Sequence, residues 1–210
     1  MTNILTDKTV PAFADALASK APVPGGGGAA AVAGALGAAL CIMVGNYTVG
    51  KKKYAAVEED VKRIMEEAAK LQNRLIDLVN ADAEAFEPLS KAYAIPKDAP
   101  DRDQILEEAT VNACAAPVEM VRCCCRAIDL LEEMLEKGSV MLISDVGCGA
   151  LMCRAALESA AMNVFINTGS MKNREAAREM EQEIDNLMYQ YLPKAASVAE
   201  AVSSRIRKEG

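Results

Sequence analysis

Apolar positions recur at helical spacings along almost the whole chain, and the breaks in this pattern divide it into six segments. No run of alternating β-branched residues appears. The pattern therefore predicts an all-α fold, a single-domain multihelical bundle over residues 1–210. Its helices are predicted at about 8–19, 28–49, 53–93, 101–137, 144–168 and 172–207. Pro88 and Pro117 are expected to kink two of these long helices.

The second predicted helix lies within 30 consecutive uncharged residues, from Ala21 to Gly50. Such a segment is either a membrane span or a helix enclosed by other helices. Eight Gly and eight Ala favour enclosure, because they bury less apolar surface than the residues that drive membrane insertion. We therefore predict a buried Ala/Gly-rich central helix and no membrane partner. Close contact with neighbouring helices is expected at its small residues, Gly34, Gly37, Ala38 and Cys41.

Asp82 interrupts an apolar stripe on the third predicted helix. The stripe follows spacings of three and four through Leu71, Leu75, Leu78, Asp82, Phe86 and Leu89. A carboxylate in such a position must be paired, hydrogen-bonded or shifted in pKa. Two interpretations stay open, an ion pair with Arg122 or Arg126 and a functional carboxylate. Its polar neighbours Asp77, Asn80, Glu84 and Glu87 are expected to be solvated.

Ser144 and Asp145 precede another helix with few charges. Ser144 suits an N-cap and Asp145 a first-turn anion, so a structural role accounts for both. Asn163 and Asn167 share one face of this helix. Asp145 and Asn163 are about 27 Å apart along a continuous helix, so they cannot contact one small substrate group.

The glycine run from Gly25 to Gly28 opens the central helix. Free backbone N–H groups at a helix N-terminus can bind a phosphate or a carboxylate. The run has neither the Gly-Lys-Ser/Thr of a P-loop nor a preceding strand, which argues against a nucleotide site. A loop at a close helix crossing explains the four glycines nearly as well.

Composition excludes several classes of function. The net charge of −7 and the lack of a basic stripe argue against a nucleic-acid partner. The chain has no histidine, which removes Ser-His triads, histidine zinc sites and imidazole bases. Its seven cysteines contain no Cys-x-x-Cys pair, so we expect them to be reduced and mostly buried in a cytoplasmic protein.

Six motifs in order resemble the cyclodeaminase/cyclohydrolase family of folate enzymes, over about residues 8–200. They are Pro24-Gly25-Gly26-Gly27, Gly50-Lys51-Lys52-Lys53-Tyr54, Asp82-Ala83-Glu84-Ala85-Phe86, Ile95-Pro96-Lys97, Ser144-Asp145 and Asn163-Val164-Phe165-Ile166-Asn167. The resemblance implies an all-helical homodimer that acts on a tetrahydrofolate one-carbon adduct without a metal or redox cofactor.

The resemblance also suggests roles for individual residues. Asp82 is the candidate general base or cation-facing carboxylate, and Lys51, or a neighbouring lysine, would steer or protonate the departing nitrogen. Asp145, with Ser144 beside it, is the candidate partner for the pterin edge. Gly25, Gly26 and Gly27 would hold a carboxylate of the glutamate tail. Asn163 and Asn167 complete the predicted substrate-binding residues.

Two positions depart from the family pattern. The family usually has Ser where this chain has Gly28, a change that we expect to remove a side-chain N-cap and a hydrogen bond to the substrate. Many members have Asp where this chain has Asn80, so only Asp82 of that carboxylate pair is retained.

The leading hypothesis is a methenyltetrahydrofolate cyclohydrolase, and the alternative is a formimidoyltetrahydrofolate cyclodeaminase. A bundle that binds folate or a protein partner without catalysis is a third interpretation. Because Gly27 and Lys51 would be about 36 Å apart on one helix, a shared site requires a second subunit. We therefore expect a pocket at or near a dimer interface.

Overall fold

The computed structural model describes residues 4–207 and confirms the all-α prediction. Six α-helices account for most of this part of the chain, and it contains no strand. They are α1 (Val10–Leu17), α2 (Gly26–Asn46), α3 (Glu58–Tyr93), α4 (Arg102–Lys137), α5 (Ile143–Thr168) and α6 (Arg174–Arg207). Short 3-10 helices cover Leu5–Asp7, Lys52–Val57 and Val140–Leu142. Residues 1–3 and 208–210 of the predicted domain lie outside the described residues.

The main differences from the predicted helices lie at both ends of α2 and at the start of α3, which begins at Glu58 and not at residue 53. Helix α2 begins at Gly26, two residues earlier than expected, and ends at Asn46. The chain then turns at Gly50, whose φ of 77° is readily adopted only by glycine, before the 3-10 helix that precedes α3. Helices α3 and α4 continue through Pro88 and Pro117, and α6 continues through Pro193. The kinks at the first two prolines stay a prediction.

Helix α2 packs against α3 and α5 in the centre of the bundle, and α4 and α6 enclose these helices further. Helices α2 and α5 are antiparallel and in close contact. A Cβ added to Gly37 would lie 2.5 Å from Cys153 Sγ and 3.0 Å from the carbonyl oxygen of Gly149. Only glycine at position 37 therefore permits this approach.

The predicted central Ala/Gly-rich helix is confirmed, with 11 of its 21 residues buried and one face, at Leu36 and Met43, left exposed. Its small residues Gly34, Gly37, Ala38 and Cys41 are all buried. Helices α2 and α5 are also long and apolar enough to cross a membrane, but buried core helices share this property. In the most apolar stretch the buried share of residues is 56% for α2 and 39% for the segment Val140–Thr168, which contains α5.

The cysteines belong mainly to the core. Six of the seven are buried, including the consecutive Cys123, Cys124 and Cys125, and only Cys148 is exposed. Burial raises the pKa of Cys41 to about 12, mainly through desolvation. All seven are unpaired, as expected for small apolar side chains in a reduced protein.

We expect Gly37→Ala to destabilise the protein by about 1–3 kcal/mol, although alanine is the better helix former. The new methyl group would overlap Cys153 Sγ. Chemical denaturation would measure the loss. Cys153→Ala in the same chain should recover part of it, and additive effects of the two substitutions would contradict this account.

Candidate active site

A cavity of about 220 Å³ lies at the N-terminal end of α2. Helices α3, α4 and α5 and the loop before α2 form its walls. The lining residues are Pro22, Val23, Gly25, Gly26, Gly27, Asp82, Phe86, Ala113, Pro117, Asn163, Ile166 and Asn167. The bundle thus brings together six of the nine site residues predicted from the sequence.

The carboxylate of Asp82 lies directly against the first turn of α2. A Cβ added to Gly27 would be 2.5 Å from both carboxylate oxygens, so only glycine leaves space for them. Asp82 is half-buried, and Phe86 follows it one helical turn later on the same wall. The apolar stripe on α3 therefore directs this carboxylate into the cavity.

Asp82 has no ion pair among residues 4–207, so the predicted alternative of an arginine partner is wrong. Arg122 instead bonds Glu183, and Arg126 pairs with Glu67 and Asp129 on the bundle surface. These arginines lie too far along α4 from the cavity, which contacts that helix at residues 113 and 117.

Burial raises the pKa of Asp82 to about 6, and a hydrogen bond from the backbone N–H of Gly28 opposes part of this shift. The raised pKa follows from desolvation without a neighbouring cation. At neutral pH the group is therefore mostly ionised, yet it can accept a proton readily.

The start of α2 carries no side chain. Gly25 is the N-cap residue, with no side-chain hydrogen bond to the helix, and Gly26 and Gly27 follow it along the cavity. The first N–H groups of a helix have no intrahelical acceptor and carry partial positive charge. The cavity thus combines a carboxylate on one wall with an electropositive backbone on another.

Two amides complete the polar lining. Asn163 Nδ2 donates to the Ser159 carbonyl at 2.8 Å, and Asn167 Nδ2 donates to the Ala113 carbonyl at 3.2 Å. Within residues 4–207 neither amide oxygen accepts a hydrogen bond. Both remain acceptors for the N–H groups of a ligand.

Lys51, Ser144 and Asp145 lie elsewhere, near the C-terminal end of α2. The 21 residues of α2 place them about 30 Å from the cavity. Lys51 is exposed, with its ammonium 5.9 Å from the Tyr47 ring centre. These three residues do not contribute to the cavity of the same chain.

The predicted N-cap role of Ser144 is wrong. The 3-10 turn Val140–Leu142 runs directly into α5, so Leu142 is the N-cap residue and Ser144 lies exposed inside the first turn. The predicted loss of an N-cap at Gly28 is also wrong. Because Gly25 is the N-cap residue of α2, a side chain at position 28 would not cap the helix and would instead contact Pro24.

Asn80 was expected to be solvated, but it is half-buried and makes two hydrogen bonds. Leu5 N–H donates to Asn80 Oδ1 at 2.9 Å, and Asn80 Nδ2 donates to Thr6 Oγ1 at 3.1 Å. Asp77, Glu84 and Glu87 are exposed, as predicted. The helical pattern of α3 could not reveal this contact, because it depends on where the N-terminal segment folds.

Comparison with known proteins places this arrangement in a family. A family profile described as formiminotransferase-cyclodeaminase matches residues 9–186. The chain belongs to this family. It is 40% identical to a methenyltetrahydrofolate cyclohydrolase of Methylorubrum extorquens, over 95% of this chain and 98% of that protein. It is 29% identical to the formimidoyltransferase-cyclodeaminase of Rattus norvegicus, over 96% of this chain and 38% of that protein.

A solved structure has the same fold. The formiminotetrahydrofolate cyclodeaminase of Thermotoga maritima aligns with a TM-score of 0.82 and 30% identity, over 93% of this chain and 98% of that one. The family resemblance carried by the motifs and the all-α fold class predicted from helical periodicity are therefore confirmed. Among residues 4–207 no group of three or more Cys, Asp and Glu side chains is arranged to hold a metal ion.

We expect Asp82→Asn to stabilise the protein by about 2 kcal/mol at pH 8. The folded-state pKa of Asp82 lies above the ordinary 3.8, so ionisation costs folding free energy as pH rises from about 4 to 6. The amide avoids this cost while occupying the same space. Chemical denaturation of both proteins at pH 8 and pH 4 would test this prediction, since the gain in the free energy of unfolding should vanish at pH 4. An equal gain at both would contradict it.

Proposed function

We propose that this protein hydrolyses 5,10-methenyltetrahydrofolate to 10-formyltetrahydrofolate. The observation that carries the proposal is the half-buried, unpaired carboxylate of Asp82 in a cavity at the start of α2. The identity of 40% with a cyclohydrolase of nearly the same length supports this substrate.

The chemistry of the substrate suits this site. The methenyl carbon lies between two nitrogens in an amidinium-like cation, which an anionic carboxylate stabilises. Asp82 would accept a proton as a water oxygen bonds to this carbon. The bond from the carbon to N5 then breaks, N5 gains a proton, and the formyl group remains on N10. The methenyl carbon keeps its oxidation state, so the step needs no redox cofactor. We propose that it needs no metal either.

The other cavity groups would orient the folate. The oxygens of Asn163 and Asn167 can accept hydrogen bonds from the amino and amide N–H groups of a pterin. The N–H groups at the start of α2 suit a carboxylate of the glutamate tail. We also propose a cytoplasmic location, which the seven unpaired cysteines favour.

The second candidate function is formimidoyltetrahydrofolate cyclodeaminase. The structural likeness to the Thermotoga maritima cyclodeaminase favours it. In that reaction N10 attacks the formimino carbon and ammonia leaves, so the same carboxylate would remove the N10 proton. Both reactions require proton transfer around one carbon held beside Asp82.

We further propose that the active form is a homodimer built on the exposed face of α2 and α5. This face carries large apolar side chains, and α5 adds one ion pair beside them, between Arg154 and Glu158. Exposed fractions are 51% for Leu36, 52% for Leu151, 70% for Met162 and 73% for Ile166. Surfaces of this kind are typical of contacts between subunits.

An antiparallel dimer would also complete the site. A two-fold axis perpendicular to α2 places the C-terminal end of one α2 beside the N-terminal end of the other. Lys51, Ser144 and Asp145 of the second copy would then lie near the cavity that contains Asp82. This arrangement reconciles the predicted site residues with their separation of about 30 Å within one chain.

We expect the purified protein to consume methenyltetrahydrofolate, and Asp82→Asn to lower kcat about 100-fold or more. The rate of the native protein should rise with pH through about 6, because the ionised carboxylate is the active form. The loss of methenyl absorbance would be followed, with ammonia release from formimidoyltetrahydrofolate measured in parallel. If the protein binds folate but turns over both substrates only at the background rate, the enzyme proposal fails and the non-catalytic interpretation remains.

Mixing two inactive variants should restore activity if the site spans two subunits. Asp82→Asn and Asp145→Ala, denatured together and refolded, would form heterodimers in which one site contains both native residues. About a quarter of native activity is expected from a random mixture. Each variant refolded alone is the control, and ultracentrifugation should give twice the chain mass. No recovery from a dimeric mixture would contradict a shared site.

A further inference from the structure

The N-terminal segment is held on the bundle at two places. At residues 5 and 6 it is fixed to α3, since Leu5 is buried at 6% exposure in the core and both residues bond the Asn80 side chain. At its other end Pro24 is buried against the first turn of α2, close to Gly28. We call residues 5–24 the N-terminal strap.

Between these two places the strap has little hold on the protein. Helix α1 contains no buried residue, and only Phe13 packs against the core as a partly buried side chain. Val10 is 84% exposed. A segment with so few buried contacts opens at low free-energy cost, so its position depends on the residues that fix its ends.

The strap nevertheless forms part of the candidate active site. Pro22 and Val23, which follow α1, line the cavity beside Gly25. Asn80 is two residues before Asp82 on α3, so the same helix that carries the cavity carboxylate also fixes the start of the strap.

We propose that Asn80 is a positioning residue, which holds the N-terminal strap as a wall of the cavity by fixing Leu5 and Thr6 on α3. It touches no lining residue of the strap and acts through the intervening chain. The effect that we expect of Asn80 on KM rests on the proposed function. The hydrogen bonds from Asn80 to Leu5 and Thr6, which we call the clamp, do not depend on it.

Either an amide or a carboxylate at position 80 could supply these hydrogen bonds. The Leu5 N–H requires an acceptor, which either side chain supplies. The Thr6 hydroxyl accepts from the Asn80 amide here, and after rotation it can donate to a carboxylate oxygen instead. A side chain of similar size without polar atoms would lose both hydrogen bonds.

The experiment compares Asn80→Leu with Asn80→Asp and with Asn73→Leu, a matched change at an exposed position of α3. Amide hydrogen exchange in α1 of the free protein should become about 10-fold faster in Asn80→Leu, since two part-buried hydrogen bonds are lost. Exchange in α4 and α5 should not change. Asn80→Asp and Asn73→Leu should behave like the native protein.

Steady-state kinetics at pH 8 would supply the second readout. For Asn80→Leu we expect KM for methenyltetrahydrofolate to rise about 5-fold or more, with kcat within about 2-fold, because a displaced wall weakens binding without removing the carboxylate. The variant Asn80→Asp should have the same KM as the native protein.

Several outcomes would overturn the proposal. They are unchanged α1 exchange in Asn80→Leu, faster exchange across all helices, the same effect from Asn73→Leu, and faster α1 exchange with an unchanged KM. If the native protein turns over neither folate substrate, the proposed function fails. The exchange comparison still decides in that case whether Asn80 clamps the strap.

Discussion

The close approach of α2 and α5 is the constraint on which the rest of the structure depends. At Gly37 the two helices meet with no space for a side chain, against Cys153 and the backbone of Gly149. This contact sets their antiparallel register, which places Gly26 beside Asn163 at one end. It also places Ser144 and Asp145 at the opposite end. The helix contact therefore decides which predicted residues share a cavity and which require a second chain.

A second constraint is the burial of an uncompensated charge. The free energy of folding would favour a neutral or paired group at position 82, yet within residues 4–207 only the Gly28 N–H stabilises the carboxylate. Bundle arginines are directed to surface glutamates instead, as Arg122 is to Glu183. A buried carboxylate that lowers the stability of the fold is common where the carboxylate has a chemical role. The cost is tolerable because the large apolar core on both sides of α2 stabilises the bundle.

The fold was largely predictable, because helical periodicity and a few glycine or proline breaks suffice for long helices. Small residues on α2 indicated close packing, and the interrupted stripe on α3 indicated Asp82. The sequence alone could not reveal which ends of the helices meet. Helix length alone does predict that Lys51 and Gly27 cannot share a site within one chain, whereas the position of Ser144 and Asp145 at the far end of the bundle depends on the antiparallel packing of α2 and α5. Asn80 was misjudged because its partners, Leu5 and Thr6, are more than 70 residues away along the chain.

The bare first turn of α2 limits how this site can change. From Gly25 to Gly27 this turn presents only main-chain atoms to the cavity. At Gly27 any side chain would displace the Asp82 carboxylate. Substrate preference therefore depends on the side chains of the other walls, which belong to α3, α5 and the segment before Pro24. A change between hydrolysis and deamination would then lie in these walls, while Gly27 stays fixed by the Asp82 carboxylate.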